Sequence, residues 1–298
     1  MDDRPDYESK LRWVCDQIYQ GEAALYEQLM EFPSIQFGLE MAFKSLKAED
    51  PFVLFPSEFT KGVQSIPING LIWMGDKAFM KQQIVEKISS GFSCIKMKIG
   101  AIDFTTELEV LRSVRSEFTA SEIEIRVDAN GAFHPSEALE KLKTLSDLEL
   151  HSIEQPIKQG QWEDMAMLCD YSPLAIALDE ELIGVLTSEE KNKVLQTIKP
   201  QYIILKPSLI GGFQGADSLI SLAHDLGIQW WLTSALESNV GLNAISQYSF
   251  TKNSKLPQGL GTGSLYTNNL PSPLGINNGS IYYDPTKGWD LEKLDLFI

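Results

Sequence analysis

CIKMKIG, residues 94–100, places two lysines one residue apart in a run that is otherwise apolar and favours β-structure. Successive side chains of an extended strand point to opposite faces, so Lys96 and Lys98 share one face and the apolar residues between them share the other. A half-solvated surface strand would produce the same alternation. The neighbouring sequence decides between a surface strand and a buried one.

From about residue 64 onward, short β-favouring runs alternate with longer helical patterns, as in βα units repeated around a parallel sheet. Eight strands fit one closed barrel, so we predict an α/β fold, a TIM-type (β/α)7β barrel, over 64–262. An open doubly wound sheet would alternate in the same way. Barrel strands are solvated only at their ends, which places both lysines inside. The predicted strands are 65–74, 92–100, 123–131, 148–156, 174–180, 201–208, 228–238 and 258–262.

Two regions flank the predicted barrel. Residues 1–63 contain two stretches with helical spacing of apolar residues, 6–30 and 34–48, and are predicted to be the helical part of a capping domain. Residues 263–298 are rich in Gly, Asn and Pro, and we predict an irregular tail that packs on the cap.

Composition limits the classes of partner. The 298 residues include 25 Lys plus Arg and 41 Asp plus Glu, and the net charge of −16 argues against nucleic acid and anionic membranes. A local group of cations can still bind a small anionic carboxylate. The three cysteines are far apart, and no leader peptide or membrane span is recognisable. We therefore expect a cytoplasmic protein that can form a homo-oligomer.

Ligands of parallel βα folds bind at the carboxyl ends of the strands. Three carboxylates there are spaced by about one βα unit, since 154 − 128 is 26 and 179 − 154 is 25. Oxygen ligands without His or Cys suit a hard divalent cation such as Mg²⁺. The polar residues at the predicted strand ends are Lys96, Lys98, Asp128, Asn130, Glu154, Asp179, Lys206, Ser234 and Glu237.

An amine near a divalent cation has its pKa lowered, which lets a lysine act as a base near neutral pH. The chemistry indicated is abstraction of a proton from a carbon next to a carboxylate, because a metal on that carboxylate stabilises the enediolate. Lys206 lies on a strand across the predicted barrel from Lys98. The substrate would therefore lie between two amines.

Taken singly, these residues have simpler explanations. Lys206 precedes a proline and could be an exposed loop lysine, and Asp179 competes with its two acidic neighbours for the inward position. SLIGG, residues 208–212, could bind an anion through backbone amides, although a βα turn explains it nearly as well. Three others could be ordinary turn or helix-cap residues: Asp128, Ser234 and Glu237.

The motifs in combination resemble the muconate-lactonising branch of the enolase superfamily. They are KMK (96–98), RVDANG (126–131), IEQP (153–156), ALDE (177–180) and LKPSLIGG (205–212). Three longer stretches, 2–15, 233–242 and 259–274, resemble the family of o-succinylbenzoate synthases within that branch. Members of this branch begin with capping-domain strands and a mobile loop, and this chain starts after them. Either the protein is naturally short or this chain starts late. If the strands are absent, we expect a more open site and weaker substrate discrimination.

The resemblance also implies roles for individual residues. Lys98 would abstract the α-proton and then act as an acid, Lys206 would stabilise the enediolate, and Lys96 would assist electrostatically. The implied Mg²⁺ ligands are Asp128, Glu154 and Asp179. The residues implied to contact the substrate or the groups around it are Arg126, Asn130, Ser234 and Glu237.

The implied reaction is syn-dehydration of 2-succinyl-6-hydroxy-2,4-cyclohexadiene-1-carboxylate to o-succinylbenzoate, a step of menaquinone biosynthesis. Two alternatives remain open. The same lysines could serve an N-acylamino acid racemase or a dipeptide epimerase, because each amine can exchange the α-proton of one stereoisomer. A barrel without its lid strands could instead be inactive and act only in binding.

Overall fold

The computed structural model describes residues 4–263 and 265–290. Three helices begin the chain: α1 (Tyr7–Asp16), α2 (Glu22–Glu27) and α3 (Pro33–Lys47). The prediction of one continuous helix over 6–30 was wrong. Gly21 separates α1 from α2 with φ +84° and ψ 163°, a backbone conformation that glycine adopts without steric cost.

Strands and helices then alternate regularly. The strands are β1 (Ile66–Pro67), β2 (Gly70–Ile72), β3 (Cys94–Lys98), β4 (Glu124–Asp128), β5 (Ser152–Glu154), β6 (Ile176–Leu178), β7 (Tyr202–Leu205), β8 (Gln229–Leu232), β9 (Leu274–Asn277) and β10 (Ser280–Tyr283). The helices are α4 (Lys77–Ser89), α5 (Phe104–Glu117), α6 (Pro135–Ser146), α7 (Trp162–Tyr171), α8 (Ser188–Ile198), α9 (Gly212–Leu226) and α10 (Asn239–Thr251). In the described residues, no helix is both long and apolar enough to cross a membrane.

Strands β2 to β8 form one parallel sheet in chain order, and each is followed by one of the helices α4 to α10. A short segment closes the ring: Asn69 donates its amide to Gln258 O (3.0 Å) and Gly259 donates to Leu232 O (2.8 Å). The predicted eighth strand, 258–262, is thus reduced to two bridging residues. The predicted (β/α)7β architecture is confirmed.

Strand β3 lies inside this sheet, between β2 and β4. Met97 and the flanking isoleucines of β3 are buried in the main hydrophobic core. Lys96 lies in register with Arg126 of β4, and Lys98 lies in register with Asp128. The alternation in CIKMKIG therefore separates the apolar core from the polar interior of the barrel.

The N-terminal helices are attached to the barrel through Glu40 of α3. Its carboxylate accepts hydrogen bonds from the backbone amides of Phe213 and Gln214, in the first turn of α9. A carboxylate is stabilised there because the helix dipole is positive at the N-terminus. Gly212 has φ +70°, and a Cβ on it would lie 2.0 Å from Glu40 Oε2, so this turn requires glycine. Two backbone amides just after SLIGG are thus bound by the protein's own carboxylate.

Glu40→Ala is expected to lower the free energy of unfolding by about 1–3 kcal/mol, because one buried and one partly buried backbone amide would lose their acceptor. Burial raises the pKa of Glu40 despite these hydrogen bonds. The Glu40 carboxyl therefore binds a proton more tightly in the folded state than in the unfolded state. Its contribution to the free energy of unfolding is complete below the ordinary pKa of 4.5 and is lost as the pH rises through the raised pKa. Urea unfolding at several pH values measures both effects.

Glu40→Gln is the matched control for this prediction. Glutamine keeps a side-chain acceptor but does not titrate. As the pH rises, the free energy of unfolding of the wild type should therefore fall relative to that of Glu40→Gln. A pH-independent difference would contradict the raised pKa of Glu40.

The tail contains a β-hairpin, so the prediction that 263–298 is irregular was wrong for its described part. Strands β9 and β10 pair with each other, and β10 also pairs with β1. Asn278 and Gly279 at the turn have φ of +51° and +65°, the left-handed backbone that the commonest two-residue hairpin turn requires.

Phe52 stacks on Trp289 at 4.4 Å between ring centroids, which joins the tail to the end of the N-terminal region. Residues 264 and 291–298 lie outside the described residues, and the three-region division stays a prediction.

Candidate active site

A cleft of about 360 Å³ opens at the carboxyl ends of the barrel strands. Lys96, Lys98 and Lys206 line it together with Glu180 and Ser234. Strands β3 and β7 are four positions apart in the closed ring, so their lysines enter the cleft from opposite sides. The structure thus brings the predicted amines together in one place.

The two lysines of β3 are ion-paired with carboxylates of the next two strands. Lys96 Nζ lies 2.8 Å from Asp128 Oδ2 and 2.6 Å from Glu154 Oε2. Lys98 Nζ lies 2.7 Å from the same Asp128 oxygen. Asp128 and Glu154 are neighbours in the β4–β5 register, so the strand ladder itself places these groups side by side.

The structure shows where each side chain of the acidic run 179–181 points. Asp179 is buried and pairs with Lys206. Glu180 lines the cleft, and Glu181 turns away from it to accept a hydrogen bond from the Gly160 amide (2.7 Å). The chain leaves the strand conformation at Asp179, with φ −123° and ψ −78°, so simple strand alternation does not extend through this run.

Burial and ion pairing shift the pKa values of these groups in opposite directions. Burial disfavours ionisation of Asp128, but the ammonium groups of Lys96 and Lys98 outweigh it and hold the pKa of this carboxyl below its usual range. Burial, with Asp128 next to it, raises the pKa of Glu154 well above its usual range. Burial opposes the charge of Lys206, yet Asp179 and Glu154 raise its pKa. The carboxylates, rather than other cations, thus dominate the surroundings of this amine.

The same carboxylates are the candidate ligands for a divalent cation. Within residues 4–263 and 265–290, no group of three or more His, Cys, Asp or Glu side chains is close enough to hold a metal ion, and lysine ammonium groups contact Asp128, Glu154 and Asp179. Two carboxylate oxygens, Glu154 Oε1 and Glu180 Oε2, are buried and have no hydrogen-bond partner. Hard oxygen donors with unused lone pairs suit Mg²⁺, so the residue types fit this cation. Their assignment as its ligands stays a prediction.

Asn130 connects the base candidate to the acidic run. Lys98 Nζ donates to Asn130 Oδ1 at 2.5 Å, and Asn130 Nδ2 donates to Glu180 Oε1 at 2.8 Å. Asn130 has φ +44°, a left-handed conformation that asparagine tolerates better than most residues. Asn130 therefore gives the Lys98 ammonium group a second fixed partner besides Asp128.

Arg126 lies deeper in the barrel than its neighbours at the cleft. Its Nε pairs with Glu124 at 2.7 Å, its Nη1 donates to Pro257 O at 2.9 Å, and its guanidinium lies 4.1 Å from the Trp231 ring centroid. These contacts give Arg126 a packing role in the barrel interior. Arg126 is not among the residues that line the cleft, and its implied role in contacting the substrate or the groups around it stays a prediction.

Ser234 and Glu237 lie in the loop that follows β8. Glu237 accepts hydrogen bonds from the hydroxyls of Ser208 and Ser234 and from the Ala235 amide (2.8 Å). Ser234 lines the cleft, whereas Glu237 lies behind it and fixes the loop. Leu236 in this loop has φ +70° and is 40% exposed, so the network holds an apolar side chain at the cleft in a strained conformation.

Sequence reasoning missed the apolar wall of the cleft. Trp73, Ile183, Leu209 and Leu236 line it and come from the ends of four different strands. An apolar residue just after a strand is common in any barrel, so no local signal separated these four from the core. Glu180 was considered only as a competitor of Asp179 for the inward position.

The family and one curated relative match much of the chain. A model of the enolase C-terminal domain-like family matches residues 80–292. The o-succinylbenzoate synthase of Desulfotalea psychrophila is 57% identical over 240 residues, which cover 80% of this chain and 65% of that protein. The chain therefore spans about 65% of the length of this curated relative.

Solved structures agree with the fold. The crystal structure of MenC from Desulfotalea psychrophila matches with a TM-score of 0.82 and 50% identity, over 94% of this chain and 77% of that one. The L-Ala-D/L-Glu epimerase of Bacillus subtilis matches with a TM-score of 0.80 but 18% identity, over 95% of this chain and 81% of that one, so it supports the fold alone. From the barrel, the strand-end residues and these matches, we conclude that the chain belongs to the enolase C-terminal domain-like family.

Proposed function

We propose that the protein catalyses the Mg²⁺-dependent syn-dehydration of 2-succinyl-6-hydroxy-2,4-cyclohexadiene-1-carboxylate to o-succinylbenzoate, a carbon–oxygen lyase reaction of menaquinone biosynthesis. The observation that carries this proposal is the entry of Lys98 and Lys206 into one cleft from opposite sides of the barrel. Similarity to an o-succinylbenzoate synthase over 80% of the chain supports the choice of substrate.

Lys98 is proposed as the group that moves the proton. As a free amine it takes the proton from the carbon next to the ring carboxylate, and it then returns a proton to the hydroxyl that leaves from the same face as water. Asp128 and Asn130 hold its Nζ from two sides, at 2.7 and 2.5 Å, and so fix its direction. A fixed amine on one face accounts for the syn geometry.

Lys206 and Lys96 are proposed to act as cations. Lys206 faces Lys98 across the cleft and places a positive charge where negative charge develops on the substrate. Lys96 lies between Asp128 and Glu154 and contributes a second positive charge at the floor. The apolar wall formed by Trp73, Ile183, Leu209 and Leu236 suits the carbocyclic ring of the substrate.

Asp128, Glu154 and Asp179 are the residues proposed to hold the cation. Mg²⁺ bound there would withdraw electron density from the substrate carboxylate and make the α-proton more acidic. Glu154 Oε1 and Glu180 Oε2, both buried and unpartnered, support the presence of a cation close to this acidic group.

Metal removal tests the proposal directly. Purified protein with Mg²⁺ is expected to consume the cyclohexadiene, followed as loss of its absorbance, and EDTA is expected to reduce the rate at least about 100-fold because the α-proton is too weakly acidic for an amine alone. Excess Mg²⁺ should restore the rate. No turnover by metal-loaded protein, or full turnover in EDTA, would contradict the proposal.

An epimerase acting on N-acylamino acids or dipeptides is the second candidate, because an amine on each face of the cleft can exchange the α-proton of one stereoisomer. Incubation of both enantiomers in D₂O, followed by NMR, separates the two reactions. Deuterium exchange without dehydration would favour the epimerase. If the protein showed neither exchange nor dehydration, the result would favour a protein that only binds. Cytoplasmic location and a homo-oligomeric state stay predictions.

A further inference from the structure

Gln155 directly follows Glu154 at the end of β5 and is fully buried, with 0% of its surface exposed. Its φ is +39°, a left-handed conformation that a side chain of this shape rarely adopts. Within the described residues, a non-glycine residue with positive φ lies within two positions of a proposed metal ligand only at Gln155, directly after Glu154, and at Asn130, two residues after Asp128. Strain of this kind persists where the surrounding structure fixes the residue.

The side-chain amide of Gln155 makes four hydrogen bonds. Its Oε1 accepts from the backbone amides of Asp179 (3.2 Å) and Glu181 (3.3 Å). Its Nε2 donates to Ile157 O (3.0 Å) and to Glu181 Oε2 (3.1 Å). A glutamine has two acceptor sites and two donors, so its whole hydrogen-bonding capacity is used.

These bonds link the end of β5 to the turn after β6. Asp179 and Glu181 bracket Glu180, so one side chain holds the backbone on both sides of the residue that lines the cleft. Glu181 extends the link, because its second oxygen accepts the Gly160 amide. The turn that carries Asp179 is thus held by side-chain hydrogen bonds where the strand ladder has ended.

We infer that Gln155 is a positioning residue that sets Asp179 and Glu180 for cation binding. The inference rests on the proposed function, since it assumes that these carboxylates surround a divalent cation. Gln155 itself touches neither substrate nor cation in this role. It acts through the two backbone amides that it fixes.

Gln155→Met keeps the length of the side chain and removes all four hydrogen bonds. We expect it to weaken Mn²⁺ binding, measured by electron paramagnetic resonance, about 10- to 100-fold, the range found when groups that orient metal ligands are removed. Gln155→Glu keeps the two acceptor contacts and, with its carboxyl protonated against Glu181 Oε2, one donor contact, so it should retain more Mn²⁺ affinity than Gln155→Met. This variant keeps the test decisive if the methionine variant folds poorly.

Gln247→Met is the matched control. Gln247 is also 0% exposed, accepts the Phe55 amide (3.0 Å) and donates to Phe52 O (2.7 Å) and Asn243 Oδ1 (2.9 Å), away from the cleft. It should lower the thermal midpoint to a similar degree and leave Mn²⁺ affinity within about twofold. Unchanged Mn²⁺ binding by Gln155→Met, or equal weakening in the control, would overturn the inference. Absence of Mn²⁺ binding by the wild type would instead overturn the proposed cation site.

Discussion

Lys98→Ala is expected to lower kcat/KM for the cyclohexadiene substrate at least about 100-fold, because general acid–base groups contribute about 10²–10⁴ to the rate. The loss should appear in kcat, since the amine acts on the proton that moves in the transition state. Steady-state kinetics with Mg²⁺ and substrate measure it. Circular dichroism should show an unchanged fold, because Lys98 lies at the cleft rather than in the apolar core.

Lys141→Ala is the matched control for this experiment. Lys141 is also an ion-paired lysine with a partly buried side chain, 2.7 Å from Glu137, but it lies on helix α6 outside the cleft. Its replacement should leave kcat/KM within about twofold. If Lys98→Ala kept more than about 1% of wild-type activity, Lys98 would not be the base.

Glu154→Gln is expected to weaken Mn²⁺ binding at least about tenfold and to lower kcat/KM at least about 100-fold. Glu154 Oε1 is buried without a partner, and the carboxylate lies next to Asp128 on the neighbouring strand. Glutamine keeps the shape and removes the charge that would face a cation. Metal titration and kinetics measure the two effects separately.

Glu107→Gln provides the control for a buried carboxylate. Glu107 is 1% exposed, accepts the Gly100 amide (2.7 Å) and, like Glu154, has one buried oxygen without a hydrogen-bond partner. It lies on α5, away from the cleft lining. Its replacement should leave Mn²⁺ binding unchanged, and a similar loss in both variants would show that the effect of Glu154→Gln is a general effect of buried charge.

The barrel was predictable because its signals are local and repeated. Strand β3 could be located from its alternation, and the repeated βα pattern around it predicted that Lys96 and Lys98 point inward. The hairpin formed by β9 and β10 was also within reach, since Asn278-Gly279 between two β-favouring runs is a strong hairpin signal. That signal was obscured by the Gly, Asn and Pro content of the surrounding tail.

Other features depended on contacts between distant segments. Arg126 has the parity of Asp128, yet its long side chain reaches Glu124 and Pro257 O in the barrel interior rather than the cleft. Parity gives the face of a strand but not the depth that a flexible side chain reaches. Glu40 gave no sequence signal, because its partners, two amides of α9, are more than 170 residues away.

The sequence by itself determined the alternating order of strands and helices in the barrel and the inward faces of β3 and β4, because both follow from the periodicity of apolar residues along the chain. It also placed carboxylates and lysines at successive strand ends. Only the tertiary structure decided which member of the run 179–181 faces Lys206 and which faces the cleft. The physical reason is that the strand ladder ends before Asp179. The conformation beyond it is fixed by the hydrogen bonds that the Asp179 and Glu181 amides donate to Gln155, which directly follows β5.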